Sequence, residues 1–116
     1  MSKNKEIGNK GESIAAEYLV YSGYQIVTKN YRFEKTEIDI IAMDVDILVF
    51  IEVKTRKSLR FGLPEDAVDD KKIENILDCA NNYIHEINWI GPIRFDIISI
   101  ILFPEISINH LKDAFL

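Results

Sequence analysis

A chain of 116 residues, 47% hydrophobic and 28% charged, has the length for one domain with one hydrophobic core and not for two. Its net charge of −5 weighs against a binder that holds nucleic acid by bulk charge, so any phosphate partner must meet a local basic patch. The single Cys79 excludes an internal disulfide. The longest uncharged apolar run, 97–104, falls short of the ~20 residues of a bilayer span. Residues 1–10 are polar and lack the form of a signal peptide, so a cytoplasmic protein with no membrane partner is expected.

From the N-terminus, residues 5–22 read as a helix. Ile7, Gly11, Ile14, Ala15, Tyr18 and Leu19 recur at three- and four-residue spacing, and Gly23 stands where a helix ends. Glu12 falls at the edge of that stripe, where a solvent-facing glutamate is the ordinary reading. Residues 24–31 follow as a strand, with Tyr24, Ile26 and Thr28 alternating against Gln25, Val27 and Lys29. Residues 32–36 are expected to be a loop.

Two apolar runs rich in β-branched residues, 38–43 and 47–53, come next, separated by Asp44-Val45-Asp46. They predict a β-hairpin. Val45 tolerates a positive φ poorly, so a four-residue connection is expected in preference to a tight turn. Charged residues are embedded in these runs: Glu37, Asp39, Glu52 and Lys54. Side chains alternate along strands, so an even-length connection sets Asp39 opposite Glu52, and Glu37 opposite Lys54, on one face. Facing carboxylates destabilise a sheet unless something neutralises them. A hard divalent cation held by oxygen is one solution. A polar rim, with Glu37 and Lys54 as an ordinary cross-strand ion pair, is the other.

Residues 54–60, Lys-Thr-Arg-Lys-Ser-Leu-Arg, carry positive charge and no negative charge directly after the acids. They read either as a solvated loop or as a phosphate-contacting patch. Residues 59–63 should be loop, punctuated by Gly62 and Pro64, with Phe61 a core anchor or a base contact. A second helix is expected over 64–86, with Val68, Ile73, Ile76, Leu77, Ala80, Tyr83 and Ile84 at helical spacing and Lys71 and Lys72 in its N-terminal half. Cys79 and His85 lack metal-ligand spacing and read as structural. Residues 93–102 form a strand that is apolar on both faces and therefore covered on both. Asp96 within it calls for Arg94 or a buried backbone donor. In the tail, Leu111, Ala114 and Phe115 offer a short docking segment, with His110 expected to be exposed. The order helix, strand, hairpin, helix, strand predicts a single α/β domain, a mixed β-sheet flanked by helices.

The arrangement Asp39, then Glu52-Val53-Lys54, resembles the PD-(D/E)xK nuclease signature, with Ile38 where that signature has proline. Gly11-Glu12, Asn30-Tyr31-Arg32, Glu37 to Ala42, Phe50 to Arg56, Phe61-Gly62 and Arg94-Phe95-Asp96 together resemble the YraN family of small bacterial proteins. That family is similar in fold to archaeal Holliday-junction resolvases. The resemblance implies a restriction-endonuclease-like core and a metal-dependent endonuclease acting on DNA, on branched or damaged structures. It implies Mg²⁺ or Mn²⁺ held by Asp39 and Glu52, with Glu12 and the Val53 carbonyl completing or supporting the shell, Lys54 acting on the phosphate or water, and Glu37 supporting. Arg56, Lys57, Arg60 and Lys71 become candidate DNA contacts, and a homodimer would suit a two-fold junction. The alternative is a non-catalytic nucleic-acid- or protein-binding module that keeps the nuclease fold, consistent with the acidic balance. A purely structural charge cluster is a third reading.

Overall fold

The β-branched residues concentrated in the middle of the chain build the centre of a five-stranded sheet, ordered β1-β2-β3-β4-β5. The computed structural model describes residues 3–58 and 69–115. Its elements are α1 (Lys3–Tyr21), β1 (Gln25–Phe33), β2 (Thr36–Asp44), β3 (Ile47–Arg56), α2 (Asp70–Ile87), β4 (Ile93–Ile101) and β5 (Ser107–Leu111). Strands β1, β2 and β3 form an antiparallel meander. β4 returns parallel to β3, and β5 closes the far edge antiparallel to β4. A parallel return needs a crossover, and α2 lies within it. The result is one α/β domain, a mixed sheet with a helix on each face.

Alternation along β3 divides the core. Val49, Ile51 and Val53 pack with Ala15 and Leu19 of α1, and with Ile98 and Ile100 of β4. Leu48 and Phe50 point the other way, against Ile76, Cys79, Ala80 and Tyr83 of α2. Gly11 sets how closely α1 lies on the sheet. A Cβ placed there would meet the Thr55 hydroxyl and stand 2.7 Å from Thr55 Cβ and Cγ2.

Where structure departs from the sequence expectations, local signals gave way to long-range ones. The β2–β3 connection is two residues, not four. Asp44 pairs with Ile47, and Val45 adopts φ 57 at 89% exposure. Pairing along two long apolar strands fixes the turn, and Val45 accepts the left-handed conformation. β1 runs on to Phe33, so residues 32–36 are not a loop; the turn is Glu34-Lys35, with Glu34 at φ 56. α2 begins at Asp70 and not at 64, because the extended Asp69 caps it by accepting from the Lys72 N–H at 2.8 Å. Asn88, at φ 55, ends it. Phe61, Gly62, Pro64 and Val68 lie outside the described residues.

The tail also departs from expectation. Residues 107–111 form an edge strand, and the His110 side chain is 6% exposed, not solvated. Its Nε2 lies 2.7 Å from Asp96 Oδ2 and its Nδ1 lies 2.9 Å from the Tyr18 hydroxyl. Asp96, fully buried, takes both kinds of partner foreseen for it. Arg94 donates twice, at 2.8 and 2.9 Å, and the Asp113 N–H donates at 3.1 Å. Together with His110 these hold the carboxyl below the usual range in spite of burial, which pushes the other way.

Candidate functional site

The hairpin register is the foreseen one: Ile41 opposes Phe50 and Ile40 opposes Ile51. The ladder ends at that pair, one step short of Asp39 and Glu52. Face alternation along β2 fails at the same place, since Ile40 joins the α1 cluster while Ile38 joins the α2 cluster. Opposite Asp39 on β1, Asn30 adopts φ 56. The sheet opens here, and the Asp39 side chain fills the gap: its Oδ2 accepts from the Val53 N–H at 2.7 Å.

Both acids are buried, Asp39 at 9% and Glu52 at 7% exposure. Burial and then the Glu52 charge, reinforced by Glu12 and by hydrogen bonding to Glu52, push the Asp39 carboxyl up to about 8. Lys54, two residues past Glu52, places Nζ 3.7 Å from Glu52 Oε1 with its side chain only 11% exposed. Burial and the adjacent Lys72 lower its affinity for a proton, with Glu52 opposing.

The remaining candidates distribute around this pair. Glu12 reaches the α1-side cleft alongside Asp39, Glu52, Val53 and Lys54. Its Oε1 accepts from Asn30 Nδ2 at 2.9 Å. Glu37 does not meet Lys54, as the register extended to the strand ends would have required. It accepts from Asn30 at 3.0 Å and pairs with Arg32 at 3.4 Å, because β2 stays zipped to β1 after it has left β3. Val53 lines the same cleft, and its N–H serves Asp39. Arg56 and Lys57 lie further along this cleft, and Arg56 Nη1 donates to the Thr55 carbonyl at 3.1 Å. Lys71 is exposed and borders a second cleft on the α2 side. Arg60 lies outside the described residues.

Two residues named from the sequence without a site role belong to the site. Lys72, rather than Lys71, turns inward, with Nζ 3.3 Å from Glu52 Oε1. Its signal was helical phase, since it stands four residues before Ile76 on the buried stripe. Asn30 is the second. It is the hub that joins Glu12 to Glu37, and its left-handed backbone had no mark beyond asparagine's tolerance for that conformation.

Among the described residues no group of three or more His, Cys, Asp or Glu side chains gathers to hold a metal. A closed protein cage of the zinc or calcium kind therefore does not fit. Mg²⁺ demands less, since it keeps several waters and takes one or two carboxylates plus substrate phosphates. Adjacent buried acids, one of them driven toward the protonated form by burial and by the charge of the other, suit that requirement.

The fold and the site thus define a small α/β domain with a paired-acid, lysine-flanked cleft at the open end of a hairpin. The chain belongs to the uncharacterised protein family UPF0102, whose family model matches residues 11–100. It is 42% identical over 116 residues to a UPF0102 protein of Christiangramia forsetii, covering 99% of this chain and 98% of that one. A UPF0102 protein of Clostridioides difficile is 45% identical over 113 residues, covering 97% and 98%. One from Phocaeicola vulgatus is 43% identical over 116 residues, covering 99% and 96%.

Proposed function

We propose that this protein is a metal-dependent endonuclease of PD-(D/E)xK type that cuts DNA, with branched or damaged duplexes as the substrates of choice. The observation that carries the reading is the buried Asp39–Glu52 pair, with Lys54 beside it, at the point where the β2–β3 ladder opens. Asp39 and Glu52 would hold Mg²⁺ or Mn²⁺, and Glu12 and the Val53 main chain would support them from the α1 side. The ion supplies charge neutralisation at a phosphate and activation of a water.

The chain's own groups do the rest. The Val53 N–H holds Asp39 Oδ2 and so fixes the orientation of the carboxyl that would ligate beside Glu52. Lys54, sheltered from solvent, presents an ammonium where charge develops on a phosphate, and such a donor counts for more in a low-dielectric cleft. Arg56 and Lys57 continue the same cleft and offer phosphate contacts, which position a strand without reading its sequence. Choice of substrate would then follow DNA shape, and a homodimer would suit a two-fold junction.

The test is Mn²⁺ titration by calorimetry on wild type and Asp39→Ala, followed by a cleavage screen on branched, flapped and nicked duplexes. Saturable Mn²⁺ binding and cleavage, both lost in Asp39→Ala, are expected. DNA binding without cleavage would favour a non-catalytic binding module that keeps the nuclease fold.

A further inference from the structure

Glu52 is attended by two lysines on one oxygen. Lys54 Nζ is 3.7 Å from Oε1 and Lys72 Nζ is 3.3 Å from the same atom. With Glu12, Asp39 and Glu52 formally negative and Lys54 and Lys72 positive, the cluster carries a formal charge of −1, which an added divalent cation would turn to +1. A phosphate could offset that excess of positive charge in a buried cleft.

The two lysines are not equivalent. Lys54 rises from β3 and its side chain is 11% exposed. Lys72 rises from the first turn of α2, is 39% exposed, and borders both clefts that meet at Asp39 and Glu52. Lys72 is the one with room to leave Glu52 and follow an incoming anion.

We propose that Lys72 is a positioning residue that occupies the cation's electrostatic place at Glu52 until a phosphodiester arrives, and so makes metal uptake depend on substrate. The inference rests on the reading of Asp39 and Glu52 as metal ligands. In the free protein Lys72 neutralises Glu52. When a DNA strand enters the cleft, its phosphate draws the Lys72 ammonium across, and Glu52 becomes available to a divalent ion. Coupling of this kind is reciprocal, so metal must also tighten DNA.

Mn²⁺ binding is measured by calorimetry on wild type, Lys72→Gln and Lys72→Arg, with and without a phosphorothioate duplex that resists cleavage. Removing one partly screened charge beside the acids should tighten Mn²⁺ binding about five- to tenfold without DNA. The duplex should tighten Mn²⁺ binding to wild type, and do so much less for Lys72→Gln. Lys72→Arg, which keeps the charge, should behave as wild type, whereas a merely structural role would not split the two substitutions this way. Equal Mn²⁺ affinities in wild type and Lys72→Gln, or equal tightening by DNA in both, would overturn the inference. No tightening in wild type would overturn it too. Tighter Mn²⁺ binding in Lys72→Gln with the expected DNA coupling, in a protein that cuts no substrate, would leave the inference standing and overturn only the nuclease reading. Absence of Mn²⁺ binding in all three proteins would overturn both.

Discussion

Asp39 holds a carboxyl where a charge is least welcome, buried and beside a second acid, and this leaves a mark on stability. Its folded value of about 8 stands above the roughly 3.9 of an unfolded aspartate. The folded state therefore binds the proton more tightly. The group's contribution is most favourable below pH ~4 and is lost as pH rises toward about 8. Asparagine keeps an oxygen to accept from the Val53 N–H but has no proton to lose. In EDTA, Asp39→Asn should match wild type near pH 4 and exceed it by a few kcal/mol near pH 8 (order of magnitude). Urea unfolding across that range checks it, and a difference that does not grow with pH would defeat the argument. Wild type with saturating Mn²⁺ should lose the deficit, since the ion replaces the proton. What gave Asp39 and Glu52 away in the sequence was charge inside β-branched runs. Lys72 was hidden because adjacent lysines look alike until the helix phase is known.

At the scale of elements, α1 is held against β3 by a gap the width of a missing side chain. Gly11→Ala would drive its methyl into Thr55, in a contact with little room to relax. It should cost about 1–3 kcal/mol and lift the helix that carries Glu12. Removing the Thr55 hydroxyl and methyl in a Gly11→Ala/Thr55→Ala double variant should recover part of the loss. Strictly additive effects in that cycle would show that the two residues do not meet. The hairpin was the most legible element, because two apolar runs of known parity specify one register. Its turn was not, since a valine's local preference lost to the pairing on either side. Glu37 was misplaced for a related reason. Parity carries a register forward only while the ladder lasts, and this ladder stops before Glu37.

Across the whole molecule, no helix among the described residues is long and apolar enough to cross a membrane. The two core clusters are joined through the sheet, and α1 is tied to β4 and β5 through His110. His110 connects Tyr18 of α1 to Asp96 of β4, with partners 92 and 14 residues away. Such separations leave no trace in local pattern, which is why His110 read as exposed. His110→Ala removes one of the two hydrogen bonds to Oδ2 of the buried Asp96 carboxylate, leaving Arg94 Nη2, and should cost about 1–3 kcal/mol. Hydrogen exchange should show faster opening in α1 as well as in β5. Loss of protection confined to β5 would mean that the Tyr18 link contributes nothing. The same link bears on the order in which a ribosome delivers the chain. Tyr18 emerges early, but its partner follows 92 residues later, and the Asp113 amide that helps satisfy Asp96 later still. A nascent chain can zip its hairpin and bring the acid pair together well before it can finish fastening the helix that shelters it. β5 is therefore the latch on a cleft whose chemistry was written much earlier, and until β5 has docked that cleft has its cover unfastened.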